Sequence, residues 1–460
     1  MPENSYDVVV IGSGTGGYST ALRAAGLGKR VAMIEKDDRL GGTCLLRGCI
    51  PTKALLQSAA VLDSVHRSEE WGITASGEPD MPGVLAFQKK MVDKLVNGLT
   101  GLVKARKIDV IQGEAKLAPG PKVEVAGRTL EAGDVVLATG SRPRLLPRVE
   151  LSERVVTSDQ ALVLDRVPAS VVVIGAGAVG LEFASFYRSM GAEVTVVEAL
   201  DRVAPLEDED VSKELVRAFR RRGITTAAGA KVSEVKDSGD GVAVTYDAGG
   251  KTETANAELC LVAVGRGPVG EGLGYEEAGV ELERGYVKVD GQLQTTVPHV
   301  WAVGDVAATP FQLAHVSFEE GIAVAERIAG EEVPEIDYAG IPRVTFSTPE
   351  IASVGLTEAQ ARERGYDLDV EKLNFQAIGK ANIVGEGGLC KVIAEQGGGA
   401  VLGVHLIGPH VTDLVAEGML IYNWEAVPTD VARLIHPHPT LSEAIGEAHL
   451  ALAGKSLHTL

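Results

Sequence analysis

The chain has 460 residues, 45% of them hydrophobic, and a formal net charge of −19 at pH 7. This length is too great for one ordinary hydrophobic core and predicts about three domains. Because the charge is acidic and no long basic block interrupts it, we predict no binding to nucleic acid or to an anionic membrane surface.

The number of cysteines and the first residues of the chain indicate the cellular compartment. Four cysteines are too few for a secreted disulfide scaffold. Cys260 and Cys390 lie in strand-like runs, where we expect buried and inert thiols. The first seven residues have neither a basic nor an apolar leader region, so we expect a cytoplasmic protein without a signal peptide.

The N-terminal segment has the pattern of a dinucleotide-binding unit. A strand-like run at residues 8–11 leads into a glycine-rich turn and a helix-like segment. In such a turn Gly12 makes the tight bend, Gly14 lets the backbone approach a pyrophosphate, and Gly17 lets the helix pack closely on the strand. Glu35, 18 positions after Gly17, ends the next strand and would accept a hydrogen bond from an adenosine ribose.

A pair of cysteines follows directly. In an ideal helix, residues with the spacing of Cys44 and Cys49 have Cα atoms roughly 8 to 9 Å apart, beyond the roughly 7 Å that a disulfide bridges. The segment must therefore leave regular helix if the pair forms a disulfide, and Gly48 allows this. Pro51 can open a helix whose dipole favours a thiolate. We predict a dithiol that exchanges electrons with a flavin; the alternative is two unrelated buried cysteines.

A second unit of the same kind begins near residue 170. Its strand-like run at residues 171–174 is followed by a glycine turn and a helix, and Glu198 stands 18 positions after the last glycine. The glycines of this turn are Gly175, Gly177 and Gly180. A carboxylate at Glu198 repels a 2′-phosphate and favours NAD, although Arg202 nearby keeps NADP open as an alternative.

Other strand-like runs end in polar or glycine turns. Residues 136–143 and 261–268 each end a strand in such a turn, which we interpret as junctions between domains. Asp305 ends the run at residues 300–305, where a carboxylate could accept from a sugar-alcohol hydroxyl. After about residue 340, alternating strands and an amphipathic run at residues 413–423 suggest an α+β domain.

These motifs resemble those of the flavoprotein disulfide reductases, and among them the dihydrolipoamide dehydrogenases, over essentially the whole chain. They are the Gly-Gly-Thr-Cys segment, both glycine turns, and residues 138–141, 265–268, 302–305 and 436–443. The resemblance implies two Rossmann-like dinucleotide-binding domains and a C-terminal α+β dimerisation domain. The implied division is an FAD-binding part at 1–147, an NAD-binding domain at 148–270, a return segment of the FAD domain at 271–340, and an interface domain at 341–460.

The resemblance assigns the acid/base to His438 rather than His436, with Glu443 as its orienting carboxylate. Thiol chemistry independently needs a base near neutral pH, and imidazole is the side chain suited to that range. A carboxylate on the other ring nitrogen fixes the tautomer. The alternative for His438 and Glu443 is a structural hydrogen-bonded pair.

The resemblance also implies the cofactor contacts. Lys53 is expected near the flavin, with Glu182 as its carboxylate partner. The FAD residues are Gly12, Gly14, Gly17, Glu35, Thr43, Lys53, Ala115, Thr139, Gly140, Ser141, Asp305, Gln312, Leu313, Ala314 and His315. The NAD residues are Gly175, Gly177, Gly180, Glu182, Glu198, Val232 and Gly265. We predict no metal site.

The reaction that the resemblance implies is the NAD-dependent oxidation of a protein-bound dihydrolipoyl group in a 2-oxoacid dehydrogenase or glycine-cleavage complex. Cys44 would be the sulfur that the substrate attacks, and Cys49 would face the flavin. The implied partners are a second copy of the chain, whose His438 completes the site, and the lipoyl domain and acyltransferase subunit of the complex. Rival interpretations are a glutathione reductase, a mercuric reductase, and a flavin-binding subunit whose redox site is vestigial.

Overall fold

The structure is a computed structural model that describes residues 4–458. The chain folds into two compact units, each assembled from three separate segments. Unit 1 comprises Met1–Leu55, Asp80–Arg144 and Arg266–Tyr338, and unit 2 comprises Leu56–Pro79, Leu145–Gly265 and Ala339–Leu460. The four-segment domain division stays a prediction.

Unit 1 is built on a seven-stranded sheet. The strands, in spatial order, are Asp109–Gln112, Val31–Glu35, Ser5–Ile11, Arg128–Leu137, Lys122–Val125 and Ala115–Ala118, and Val300–Ala302 pairs alongside Arg128–Leu137. The first four strands in this order and Val300–Ala302 run parallel, whereas the last two are antiparallel. The carboxyl ends of Ser5–Ile11, Arg128–Leu137 and Val300–Ala302 therefore meet at one edge of the sheet.

The side chains of the strand Ser5–Ile11 are buried on both faces of this sheet. Val8, Val9 and Val10 are all fully buried. Val9 packs into a core cluster on one face, while Val8 and Val10 pack into a second cluster on the other. A continuous apolar run of this kind is typical of parallel strands with helices on both sides.

The other elements of unit 1 frame the edge where the strands end. The helices are Thr15–Gly26, Gly42–Arg47, Cys49–His66 (whose first residues belong to this unit), Met81–Ala105 and Ala314–Ala329. Short 3₁₀ turns cover Gly304–Val306 and Tyr338–Gly340, and two small ribbons pair Ser141–Pro143 with Arg266–Pro268 and Leu282–Glu283 with Tyr286–Val287.

Unit 2 contains a second parallel sheet and an antiparallel ribbon sheet. The parallel sheet has the order Ile224–Ala227, Glu193–Val197, Ser170–Ile174, Leu259–Val262 and Val155–Val156. The three-stranded antiparallel sheet consists of Ala230–Asp237, Val242–Ala248 and Lys251–Ala257. The accompanying helices are Ser158–Ala161, Ala178–Ser189 and Glu209–Arg221, and Ser68–Trp71 forms a 3₁₀ turn.

The C-terminal part of unit 2 has a five-stranded antiparallel sheet with helices. Its strand order is Arg343–Thr345, Glu350–Gly355, Val401–Gly408, Leu389–Glu395 and Leu368–Asn374. The helices are Glu358–Glu363, Gly379–Val384, Val411–Asn423, Pro428–Val431 and Glu443–Leu452, with a 3₁₀ turn at Phe375–Ala377. The predicted fold class, two glycine-turn α/β sheets followed by an α+β part, is confirmed.

Two kinds of feature are absent from the described part of the chain. No helix within residues 4–458 is long and apolar enough to cross a membrane. Over the same residues, no group of three or more His, Cys, Asp or Glu side chains is arranged to hold a metal ion.

Candidate active site

The first glycine turn has a geometry that only glycine allows. Gly12 has a φ of +105°, and a Cβ atom there would lie 2.3 Å from the carbonyl oxygen of Ala138. A Cβ on Gly17 would lie 1.9 Å from the carbonyl oxygen of Gly12. A Cβ on Gly14, by contrast, would meet no atom within 4 Å, so space is open in front of the helix Thr15–Gly26.

The start of that helix fits the pyrophosphate of a dinucleotide. Its N-cap, Gly14, provides no side-chain hydrogen bond, and the first turn contains no acidic residue. Thr157, Asp208 and Thr357, in contrast, cap their helices with side-chain oxygens. Uncapped N–H groups and the positive end of the helix dipole together bind anions.

Glu35 lies at the end of the second strand and points its carboxylate toward this turn. Oε2 accepts from the backbone N of Ser13 at 2.9 Å and from its Oγ at 2.5 Å, and Oε1 accepts from the N of Asp37 at 2.9 Å. A carboxylate has about four acceptor sites, so capacity is left for a ribose hydroxyl.

The cysteine segment leaves regular helix, as its spacing requires for a disulfide. Cys44 lies in the helix Gly42–Arg47, which ends before Gly48, and Cys49 begins the helix Cys49–His66. Gly48 has φ −144° and ψ −112°, outside the helical region. The long helix therefore begins two residues before Pro51, and it is Cys49 that stands at its N-terminus, where the dipole favours a thiolate.

The same segment packs directly on the glycine turn. A Cβ on Gly42 would lie 2.6 Å from the Cα of Gly14, so the two backbones are in contact. The backbone N of Gly41 donates to the carbonyl oxygen and to the Oγ of Ser13, each at 3.1 Å. The dithiol is thereby fixed beside the predicted FAD site.

The two sulfurs form a hydrogen-bonded thiol pair. The hydrogen bond with Cys49, together with burial, raises the pKa of the Cys44 thiol, and the charge of Lys53 offsets part of this rise. The Cys44 thiol therefore loses its proton less readily than an isolated thiol would. Burial, followed by the charges of Cys44 and Cys49, raises the pKa of the Tyr18 hydroxyl as well, which places this residue within electrostatic reach of the dithiol.

A polar cluster lies at the carboxyl edge of the unit 1 sheet. Ser141 donates from Oγ to Oδ2 of Asp305 at 2.5 Å. Arg266 donates from Nε to the Oγ of Ser141 at 2.7 Å and from Nη2 to the Oγ1 of Thr43 at 3.4 Å, and its Nε lies 4.0 Å from Oδ2 of Asp305. Thr139 donates to the carbonyl oxygen of Val269 at 2.5 Å. The sequence pattern did not single out Arg266 as a site residue, although it lies within the motif at residues 265–268.

The remaining predicted FAD residues occupy several elements of unit 1. Gly140 adopts φ +71°, and Ala115 is buried at the start of Ala115–Ala118. Gln312 and Leu313 precede the helix Ala314–Ala329, where Leu313 is an N-cap without a side-chain hydrogen bond. Ala314 is half-buried and His315 is exposed in the first turn of that helix, which contains no acidic residue. This helix start also suits an anion.

The second glycine turn, in unit 2, repeats the first. Gly175 has φ +106°, and a Cβ on Gly180 would lie 1.9 Å from the carbonyl oxygen of Gly175. Gly177 is an uncapped N-cap with open space in front of it. Glu198 accepts from the backbone N of Ala176 at 2.6 Å and from the N of Leu200 at 2.8 Å.

The other predicted NAD residues also lie in unit 2. Gly265 follows the strand Leu259–Val262 with φ +99°, and Val232 is half-buried in the antiparallel sheet. Glu182 is buried in the helix after the turn, and its Oε1 accepts from the backbone N of Phe346 at 3.0 Å. The pairing of Glu182 with Lys53 stays a prediction.

The C-terminal motif brings His438 and Glu443 together. Nδ1 of His438 lies 2.8 Å from Oε1 of Glu443, whose Oε2 accepts from the backbone N of Thr440 at 2.8 Å. Burial acts to raise the pKa of Glu443, but the Thr440 N–H and His438 outweigh it and lower that pKa overall. An ionised Glu443 holds the Nδ1 proton and leaves Nε2 of His438 as the nitrogen that can exchange protons.

His436 has a different environment from His438. Its Nε2 lies 2.6 Å from Oε1 of Glu417, and its side chain is 13% exposed, against 75% for His438. The hydrogen bond with Glu417 raises the pKa of His436. Exposure and orientation therefore favour His438 as the group that meets a substrate.

Comparison with known proteins assigns the family. Residues 6–321 match the family model described as pyridine nucleotide-disulphide oxidoreductase, and residues 341–449 match the dimerisation domain of the same family. The chain belongs to the pyridine nucleotide-disulphide oxidoreductases.

Individual relatives narrow this assignment. The chain is 42% identical to a dihydrolipoyl dehydrogenase of Bacillus subtilis over 98% of this chain and 99% of the relative. It is 40% identical to dihydrolipoyl dehydrogenases of Corynebacterium glutamicum, over 98% of this chain and 99% of that one, and of Thermus scotoductus, over 99% of each. Among solved structures, LpdA from Mycobacterium tuberculosis matches with a TM-score of 0.89 at 28% identity, covering 97% of this chain and 99% of that one.

The predicted family, enzyme class and cofactors are confirmed by these comparisons. The chain is a member of the dihydrolipoyl dehydrogenase group, an oxidoreductase that uses FAD and NAD, and it carries the dimerisation domain of the family. The glycine turns, the uncapped helix starts and the adjacent dithiol fit these cofactors.

The geometry at Glu198 predicts the cofactor preference. Glu198→Arg removes a carboxylate held toward the second glycine turn and supplies a cation for a 2′-phosphate. We expect kcat/KM with NADH to fall about tenfold or more. The ratio of kcat/KM with NADH to kcat/KM with NADPH should fall by at least the same factor. Steady-state kinetics with both nucleotides checks this. Glu193→Arg, an exposed change on the same strand, should leave the preference as it is; an unchanged preference in Glu198→Arg would remove Glu198 from the ribose site.

Proposed function

We propose that the chain oxidises the dihydrolipoyl group of a carrier protein to its cyclic disulfide, with NAD as the final electron acceptor. The observation that carries this proposal is the position of Cys44 and Cys49 on either side of the helix break at Gly48, in a segment that packs against a glycine turn that fits FAD. The similarity to dihydrolipoyl dehydrogenases supports the choice of substrate.

The proposed thiol steps use the oxidised form of the pair, a disulfide between Cys44 and Cys49. A substrate thiolate attacks the sulfur of Cys44, which forms a mixed disulfide and releases Cys49 as a thiolate. The second substrate thiolate then attacks the first substrate sulfur, which is bonded to Cys44 in the mixed disulfide. The two substrate sulfurs form the cyclic disulfide, and Cys44 is released as a thiolate. FAD, when bound beside the dithiol, would supply the two-electron chemistry that links the dithiol to NAD.

His438 handles the protons of these steps in the proposal. Each attack needs the substrate thiol to lose a proton, and Nε2 of His438 can take it because Glu443 holds the other ring nitrogen. The exposed position of His438 suits a substrate that arrives on another protein. Lys53, whose charge offsets part of the rise in the pKa of Cys44, favours the thiolate forms that appear in both steps.

The proposed assembly is a homodimer in which His438 of one subunit serves the dithiol of the other. The dimerisation domain at residues 341–449, which includes His438, supports this arrangement. The proposed partners are a lipoyl domain and the acyltransferase subunit of a 2-oxoacid dehydrogenase complex, or the carrier of a glycine-cleavage system. We propose a cytoplasmic location, since Cys260 and Cys390 are buried thiols and the remaining two form the redox pair.

The roles of the two cysteines differ in a way that mass spectrometry can detect. Cys44→Ser and Cys49→Ser should both abolish NAD reduction by dihydrolipoamide. In Cys49→Ser the remaining Cys44 thiolate can attack a linear aromatic disulfide reagent, whose thiolate leaves. Because neither Cys49 nor a tethered second thiol is then present to resolve it, the mixed disulfide should accumulate. Intact-protein mass after exposure to that reagent checks this.

The control for the cysteine experiment is Cys260→Ser, a buried thiol remote in sequence that should retain activity. Glutathione disulfide offered in place of lipoamide should react much more slowly with the native enzyme. If the adduct forms on Cys44→Ser instead, the two sulfurs have exchanged roles, and if neither serine variant loses activity the proposed function fails.

His438→Gln should lower dihydrolipoamide oxidation by about 10²- to 10⁴-fold, because the substrate thiol loses its base. NADH oxidation with an artificial one-electron acceptor should stay near the native rate, since it involves no substrate thiol. The matched variant His436→Gln removes a half-buried imidazole from the same loop and should cost much less. Equal losses in the two variants would show that the motif acts through loop structure rather than through a base.

Mixed dimers test the shared site. Cys44→Ser subunits and His438→Gln subunits are each inactive, but a heterodimer contains one site with both native groups. Random reassociation makes about half of the dimers heterodimers with one good site each, so about a quarter of the native activity should return. Heterodimers that are verified by mass and remain inactive would show that each subunit uses its own His438.

A further inference from the structure

Glu320 is a buried carboxylate in unit 1, and it is not among the predicted site residues. It lies within the helix Ala314–Ala329 and is 0% exposed. Burying a carboxylate without partners is costly, so its hydrogen bonds indicate which backbone it serves.

Two donors from different segments satisfy this carboxylate. The backbone N of Gly304 donates to Oε2 at 2.6 Å, and the hydroxyl of Tyr338 donates to Oε1 at 2.9 Å. Burial and the nearby charge of Asp305 raise the pKa of Glu320, and the hydrogen bonds from Gly304 and Tyr338 counteract the rise only in part. The short contact at Gly304 is a charge-assisted bond to a main-chain group.

The Gly304 contact fixes the turn that carries Asp305. Gly304 follows the end of the sheet strand Val300–Ala302 after one intervening residue, adopts φ +70°, and a Cβ there would approach the Oγ of Ser317 to 3.0 Å. The next residue, Asp305, accepts from Ser141 at 2.5 Å. The turn is therefore held from both sides, by Glu320 at the backbone and by Ser141 at the side chain.

We propose that Glu320 is a positioning residue for FAD binding, which acts by fixing the Gly304 backbone so that Asp305 presents its carboxylate to the cofactor. The inference rests on the proposed contact of Asp305 with FAD. Glu320 itself does not touch the cofactor in this proposal. Tyr338 supports Glu320 from the other oxygen.

A double-mutant cycle on FAD affinity tests this. Apoprotein of the native chain, Glu320→Gln, Asp305→Asn and the double variant is titrated with FAD, and bound FAD is followed by its fluorescence. In Glu320→Gln the amide oxygen can still accept from the Gly304 N–H, but the bond is no longer charge-assisted. Because such bonds are roughly twice as strong as neutral ones, the Kd for FAD should rise about tenfold. Because Glu320 acts through Asp305, the double variant should bind FAD no more weakly than Asp305→Asn alone.

Stability of the apoprotein separates positioning from a merely structural role. Glutamine removes a buried charge but keeps the shape of the side chain, so the apo Tm of Glu320→Gln should not fall, while the Tm increase on adding FAD should shrink. Glu319→Gln, a change at the neighbouring position of the same helix, should match the native protein in Kd and Tm. Tyr338→Phe, which keeps the Gly304 bond, should weaken FAD less than Glu320→Gln does.

Several results would overturn the inference. Losses of affinity that add fully in the double variant would show that Glu320 acts independently of Asp305. A fall in apo Tm with a native Kd for FAD would show a structural role alone. Should Glu320→Gln fail to fold, a native Kd in Tyr338→Phe would overturn the proposal, and a weakened one would support it. Dihydrolipoamide turnover at saturating FAD is measured in parallel, so failure of the proposed reaction is seen separately.

Discussion

The close approach of two backbones, at Gly14 and Gly42, is the constraint on which the proposed redox site depends. A single Cβ on Gly42 would lie 2.6 Å from the Cα of Gly14, a distance that no relaxed structure accommodates. The contact places the start of the helix Gly42–Arg47, which contains Cys44, against the turn that fits a pyrophosphate. Ser13 reinforces it, because its carbonyl and hydroxyl oxygens both accept from Gly41 while the hydroxyl donates to Glu35.

The two glycine turns share one backbone design, and one of their side-chain differences bears on the strand-end carboxylate. Ser13 in the first turn and Ala176 in the second occupy the same position after the first glycine, and each donates its backbone N–H to the strand-end carboxylate. Only Ser13 adds a hydroxyl. Glu35 is therefore held by three donors and Glu198 by two, so Glu198 keeps more acceptor capacity for a ligand.

The sequence could predict the features that depend on local spacing. The glycine turns, the carboxylates Glu35 and Glu198, and the break between Cys44 and Cys49 all follow from short-range geometry. The contact of His438 with Glu443 spans only five positions. Their presence in the structure agrees with the spacing argument, while their roles in catalysis stay predictions.

The features that escaped prediction involve residues far apart in the chain. Arg266 reaches Ser141 across 125 positions, and Ser141 reaches Asp305 across 164. Tyr338 reaches Glu320 across 18 positions, but through a segment with no periodicity that indicates the contact. Arg266 meets Ser141 through the antiparallel ribbon of Arg266–Pro268 and Ser141–Pro143, and Ser141 meets Asp305 because two parallel strands end at one edge of the sheet. Strand pairing of this kind is not contained in any single motif.

A buried charge in unit 2 joins the C-terminal sheet to a helix of the preceding α/β part. Lys391, on the C-terminal sheet and 2% exposed, contacts Asp208 at 2.8 Å and Asp210 and Glu358 at 2.7 Å. Asp208 caps the helix Glu209–Arg221 beside the parallel sheet. Such a cluster contributes little net stability, since desolvation opposes the attraction, but displacing the C-terminal sheet would leave Asp208 buried without its cation. The cluster therefore specifies how the C-terminal sheet packs against the helix Glu209–Arg221.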